Sequence, residues 1–137
     1  GYEIKSDADT LERLETQSRC YNRTFDKIII VVGNKFAENI SEHIPEFWGI
    51  NLATNNKNGK ITIRKLRKPK INRTIEPDAL LELLWRNEVM DLLKSKSVKG
   101  ISRENRRTLR KMALDKIPKS EIKDYTRETL KHRKDWR

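Results

Sequence analysis

Apolar residues in the first half of the chain recur with two different periods. Tyr2 and Ile4 stand on one side of a short extended segment and Glu3 and Lys5 on the other, because successive strand residues point to opposite faces. A helix is expected next, capped by Ser6, Asp7 or Asp9 and running to about Asn22. At about 100° per residue, Leu11, Leu14, Gln17, Ser18 and Tyr21 share one face of it, while Glu12, Arg13 and Arg19 lie elsewhere. Residues 27–32 form an apolar, β-branched run closed by Gly33-Asn34, the pattern of a strand buried on both faces. Strand, helix and buried strand predict a βαβ unit with a right-handed crossover. A short helix over residues 36–43 follows, ended by Pro45. Residues 47–54 and 60–67 then predict two strands joined through Asn55-Asn56-Lys57-Asn58-Gly59. Ile61 and Ile63 alternate there with Thr62 and Arg64, as in a sheet with one covered face.

Beyond Pro77 the period becomes helical to the end. Residues 78–94 present Leu80, Leu81, Leu84, Trp85, Val89, Leu92 and Leu93 across a broad apolar arc and predict one well-buried helix. Ser102 is expected to cap a second helix ending near Lys116, and residues 121–131 predict a third. The class is α/β: a strand–helix–strand unit plus a β-hairpin over residues 1–70, then an all-helical segment over residues 71–137.

Charge divides the 137 residues differently. The net charge is +11, but residues 1–55 carry six Lys/Arg against nine Asp/Glu. Residues 56–76 carry eight against one, and residues 77–137 seventeen against ten. The basic excess therefore lies after an acidic opening segment, which points to a polyanionic partner; a solubilising surface is the plainer alternative. The longest apolar run, Ile28 to Val32, is far short of the roughly 20 residues that span a bilayer, so no membrane association is expected. The opening residues lack the pattern of a signal peptide. Cys20 is the single cysteine, which excludes an intrachain disulfide and a cysteine-based zinc site and fits a reducing cytoplasm. A first residue of Gly1 entering strand-like sequence at once reads like a piece of something longer.

Glu3 and Lys5 lie about 7 Å apart on one strand face. A carboxylate so placed suits a hard cation such as Mg²⁺. The lysine beside it suits orienting or deprotonating a metal-bound water, or neutralising a phosphate. An exposed strand with alternating charges would read the same way. The following helix adds Gln17 and Tyr21 at i, i+4 spacing, on the face directed at the sheet, where an amide and a phenol hold a lysine, a water or a phosphate in place.

In this order, Gly1-Tyr2-Glu3-Ile4-Lys5-Ser6-Asp7, Gln17-x-x-x-Tyr21 and Lys27-Ile28-Ile29-Ile30-Val31-Val32-Gly33 resemble the PD-(D/E)XK, or restriction-endonuclease-like, nuclease superfamily. The branch is that of RecB-like nucleases and archaeal-type resolvases. With Pro45-Glu46-Phe47-Trp48-Gly49-Ile50 and Leu83-Leu84-Trp85-Arg86-Asn87-Glu88, the pattern is similar to a family of uncharacterised bacterial and phage proteins in that superfamily. The resemblance implies a Mg²⁺- or Mn²⁺-dependent phosphodiesterase acting on nucleic acid, DNA first. Glu3 would be a metal ligand and Lys5, Gln17 and Tyr21 its catalytic companions. It also implies a second, upstream metal-binding Asp, a helix and two strands of an αβββαβ core ahead of Glu3, where this chain has only Gly1 and Tyr2. A truncated core with half a catalytic site is therefore expected, unless Asp7 or Asp9 replaces the ligand. The alternative is a noncatalytic DNA-binding or protein-interaction module on the same scaffold.

The helical segment gives a second signal. Arg103, Arg106, Arg107, Arg110 and Lys111 follow i, i+3, i+4, i+7, i+8 spacing along one helix face. With the Gly100 break, this resembles a SAP-like or helix-turn-helix module that contacts phosphates. Lys65, Arg67 and Lys68 add a basic linker after the hairpin. His43 and His132 read as surface residues, Cys20 as a buried inert thiol, Trp48 and Trp85 as core or interface anchors, and Trp136 as part of a frayed tail.

Overall fold

The computed structural model describes residues 1–56 and 58–134, which divide into two units, Gly1–Ile75 and Glu76–Arg137. Trp136 lies outside the described residues.

Among the described residues, the first unit holds one mixed sheet of β1 (Tyr2–Lys5), β2 (Ile29–Val32), β3 (Gly49–Asn55) and β4 (Ile61–Arg67), in that spatial order. β1 and β2 are parallel, with Glu3 opposite Ile30 and Lys5 opposite Val32, and α1 (Leu14–Asn22) connects them as the strand–helix–strand pattern predicts. β3 continues parallel to β2, and β4 returns antiparallel. α1 starts later than its expected caps because Ser6 donates both its backbone N–H and its hydroxyl to Asp9 Oδ2, each at 2.7 Å, closing a turn instead. The single helix expected over residues 36–43 is two 3₁₀ turns, Asn34–Phe36 and Ile40–Glu42. Phe36, Ile40 and Ile44 are all buried at four-residue spacing, which imitates the apolar stripe of one helix. Gly33 sits at the root of the first turn, where a Cβ would stand 2.1 Å from Asp7 Oδ1. That carboxylate accepts the Lys35 backbone N–H at 2.9 Å.

One sheet face carries the core, in which Leu14, Ile28, Ile30, Val32, Ile50 and Trp48 are buried. The opposite face is open. Tyr2 and Ile4 are 67% and 70% exposed, and Ile29 and Val31 are half-buried, so residues 27–32 are not covered on both faces as expected. Ile61 and Ile63 are likewise 66% and 64% exposed. The expectation of a covered face on β4 fails because that strand is an edge and its first half extends past the end of β2.

The first unit extends to Ile75 rather than residue 70. Asn72 donates its amide to the carbonyls of Asn22 and Phe25, at 2.6 and 2.9 Å, and Thr74 Oγ1 donates to Asn22 O at 3.2 Å. These bonds strap the segment to the turn after α1.

The second unit contains, among the described residues, α2 (Pro77–Glu82), α3 (Arg86–Ser95), α4 (Arg106–Lys116) and α5 (Lys119–His132). α3 packs on α4, and α2 on α4 and α5, with Leu81, Leu84, Val89, Leu93, Leu109 and Ala113 fully buried. The one long helix expected over residues 78–94 is split at Leu83–Trp85. Glu88 reaches back to accept the Trp85 N–H at 2.6 Å, satisfying a donor at the start of α3. Asn105, not Ser102, caps α4 by accepting the Thr108 N–H at 2.9 Å. No helix among the described residues is long and apolar enough to cross a membrane.

Candidate functional site

The four residues singled out in the strand and helix motifs meet in one network. β1 turns Glu3 and Lys5 toward α1, leaving them 7% and 5% exposed, while α1 projects Gln17 and Tyr21 from consecutive turns. Tyr21 donates its hydroxyl to Glu3 Oε2 at 2.8 Å. Lys5 Nζ lies 3.3 Å from Glu3 Oε1 and donates to Gln17 Oε1 at 3.1 Å. The polar side of β1 is thus its covered side.

The phenol is held from behind. Trp48 stacks on Tyr21 with ring centroids 6.0 Å apart, and Phe25 meets it edge-on at 5.5 Å. Trp48 Nε1 donates to Asn22 Oδ1 at 2.7 Å, fixing its own ring. Burial first, then the hydrogen bond and charge of Glu3, push the Tyr21 hydroxyl up to about 12, so it donates to Glu3 throughout the neutral range.

Both oxygens of Glu3 are therefore engaged, one by an ammonium and one by a phenol. Among the described residues no group of three or more His, Cys, Asp or Glu gathers where a metal ion could be held. Asp7 is bound to the Lys35 N–H, and Asp9 to Ser6, whose side-chain and backbone donors hold the Asp9 carboxyl below its usual range. Each of these carboxylates thus already has donors of its own. This donor set does not fit a divalent cation by itself, because its single carboxylate already faces a cation 3.3 Å away.

Beside the network, the C-terminal ends of β1 and β2 and the outer part of the β3–β4 hairpin frame an open depression of about 500 Å³. It is lined in part by Lys5, Ser6, Asp7, Asn34, Thr54 and Asn55.

The basic residues separate into two groups. Arg67 is fixed to the sheet, donating Nε to Trp48 O at 2.7 Å and Nη2 to Pro45 O at 3.0 Å. Arg106 donates to the Glu82 carbonyl, and Arg110 to Asp78 and Glu82 carboxylates at 2.5 and 2.8 Å. Burial pulls the Arg110 guanidinium down, but these hydrogen bonds and charges outweigh it and hold it above its ordinary value. The expected five-residue stripe is therefore broken. Arg103 lies before α4, and the i, i+4 pair Arg106 and Arg110 turns onto acidic α2. Arg107 and Lys111 are exposed on the helix without such a partner, Arg106 is exposed but donates to Glu82 O, and Arg110 is half-buried. By contrast Lys65 and Lys68 are exposed, together with Lys60, Arg64, Lys70 and Arg73, and none of these six forms an ion pair with a described residue.

A family model described as bacteriophage P4 protein cII matches residues 1–136. The chain belongs to the bacteriophage P4 protein cII family. Protein cII of Enterobacteria phage P4 is 25% identical over 133 residues, covering 97% of this chain and 50% of that protein, so the chain spans about half the length of this cII relative. No solved structure matches.

Several residues that matter in this cII-family chain escape sequence reading. Trp48 behind Tyr21 depends on a long-range contact with no local pattern. Lys60, Arg64, Lys70 and Arg73 were available from the charge run of residues 56–76, which contains one acid. Cys20, expected buried, is exposed, because Leu14 and Ser18 take the covered face of α1 and Cys20 falls outside it. Trp85 is 39% exposed, its ring covered by the Arg133 guanidinium at 4.3 Å rather than by a core. His43 and His132 are exposed, as expected.

Proposed function

We propose that the chain is a nucleic-acid-binding protein on a nuclease-like α/β scaffold, with DNA as its partner. Its binding surface is the basic stretch of β4 and the linker that follows. The observation that carries this reading is the run of exposed cations Lys60, Arg64, Lys65, Lys68, Lys70 and Arg73, none of which pairs with an acid among the described residues. Such groups release condensed counterions when they meet phosphates, which is the main source of sequence-independent affinity. Arg106 and Arg110, already engaged by α2, contribute little to it.

Kinship with Mg²⁺-dependent nucleases is supported by the convergence of Glu3, Lys5, Gln17 and Tyr21. Phosphodiester hydrolysis belongs to this reading only with oxygen ligands supplied from outside the described residues. The experiment is fluorescence anisotropy with a 20-bp mixed-sequence DNA duplex at low salt, beside a plasmid cleavage assay in Mg²⁺. Binding that survives Glu3→Ala is expected, with weak or no cleavage by this chain. Absence of binding overturns the proposal and favours docking of a protein partner, a second reading that the exposed apolar residues Tyr2, Ile4 and Ile63 support. Robust cleavage abolished by Glu3→Ala and Lys5→Ala would show a complete catalytic site instead.

A further inference from the structure

The hairpin of β3 and β4 outgrows its sheet. β2 ends with Val32 opposite Leu52, but β3 and β4 continue to pair through Ala53–Ile63, Thr54–Thr62 and Asn55–Ile61. These three pairs have no third strand beside them, so they continue as a two-stranded ribbon about 10 Å long at about 3.3 Å per residue, one side of which borders the depression beside Lys5 and Asn34. Gly59, at φ +74°, allows the sharp return, and Asn56 Oδ1 accepts the N–H groups of Asn58 and Lys60 at 3.1 and 2.9 Å, fixing the turn. Thr54 and Thr62 hydroxyls pair across the ribbon at 3.1 Å.

The chemistry is graded along this ribbon. At its far end Asn55 and Asn58 are exposed, and their side-chain amides have no partner among the described residues. Lys60 stands beside them. Nearer the sheet, and on the linker, are Arg64, Lys65, Lys68 and Lys70. Amides and an ammonium at the tip match the base-edge donors and acceptors of a major groove, and cations at the root match its flanking phosphates.

Resting on the nucleic-acid reading above, we propose that this hairpin enters the major groove of B-form DNA, with Asn55, Asn58 and Lys60 at base edges and Lys65, Lys68 and Lys70 on the backbone. The dimensions agree. A B-DNA major groove is about 12 Å wide and about 8.5 Å deep and admits a two-stranded ribbon. The major groove of an RNA duplex is deep and narrow and closed to side chains. The occupant is therefore duplex DNA and not duplex RNA.

The test compares affinities of the full chain for a 20-bp mixed-sequence DNA duplex, the RNA duplex of the same sequence, and the DNA single strand. A fourth probe is the DNA duplex methylated at guanine N7, which blocks the major groove. The expected result is DNA duplex binding about tenfold tighter than RNA duplex binding, with at least about a fivefold loss on N7 methylation. N55A/N58A should erase most of that DNA preference, while K65Q/K68Q/K70Q weakens all probes alike. The two asparagines are exposed, and an unchanged melting temperature of N55A/N58A confirms the fold. Equal affinity for DNA and RNA duplexes, indifference to N7 methylation, or a silent N55A/N58A overturns the hairpin proposal while leaving nucleic-acid binding standing. Failure to bind any of the probes overturns both.

Discussion

Glu3 and Lys5 form a buried pair whose value to stability lies in its completeness. Removing one member leaves the other charged and dry, so Lys5→Met should cost about 3–5 kcal/mol. The double variant Glu3→Leu/Lys5→Met, which removes both charges, should recover part of that loss but not all of it, because the Tyr21 hydroxyl and the Gln17 amide lose their partners. Urea denaturation of the three proteins measures this; a double variant as unstable as Lys5→Met would mean that the pair is more than a matched set of charges. Tyr21 adds a pH dependence of definite sign. Its proton is held more tightly folded, up to about 12, than unfolded, near 10. The stability it adds is complete below pH 10 and is lost as pH rises toward 12. Tyr21→Phe should lack that part of the alkaline decline when denaturation midpoints are compared between pH 8 and 12. The membership of this cluster was legible in the sequence, because a period of two pairs Glu3 with Lys5 and i, i+4 spacing pairs Gln17 with Tyr21. Which side of β1 is covered was not. Alternation tells which residues share a face, and only α1, packed on the polar side, decides that Tyr2 and Ile4 are the exposed ones.

Elements were legible where one period and one terminator agree. β1 and the β3–β4 hairpin lie close to their expected places, α1 ends at Asn22 as expected but starts only at Leu14, and the parallel pairing of β1 with β2 follows from the helix between them. The failures come from patterns that two structures share. Phe36, Ile40 and Ile44 keep helical spacing through two 3₁₀ turns. Leu80 to Leu93 keep one apolar arc across the α2–α3 break, where the decisive signal is polar, Glu88 three residues after Trp85. The arginine stripe failed for a related reason: helical spacing aligns Arg106 and Arg110 but is silent about α2, whose Asp78 and Glu82 receive Arg110. Arg110→Gln should therefore lower the stability of the chain by about 1–2 kcal/mol, from the loss of charge-assisted hydrogen bonds. It should leave DNA affinity within about twofold. A fall in affinity comparable to that of K65Q/K68Q/K70Q would return α4 to the binding surface.

At the scale of the chain, the two units divide the basic excess in different ways. In Glu76–Arg137 much of it is internal, as in the pairs Arg110 with Asp78 and Glu82 and Arg133 with Glu88. In Gly1–Ile75 it is concentrated after residue 56, on an edge strand and linker without acids to answer it. That concentration, more than the total of +11, is what a polyanion would meet, and it makes salt dependence the sharpest readout. The deciding measurement is the affinity for a DNA duplex across a salt series, for the parent chain and for K65Q/K68Q/K70Q. If these three lysines each neutralise a phosphate, the slope of log affinity against log salt should fall by about 2–3 in the triple variant, near 0.9 per lost contact. An unchanged slope, or no duplex binding by the parent at low salt, contradicts the assignment of this surface to nucleic acid.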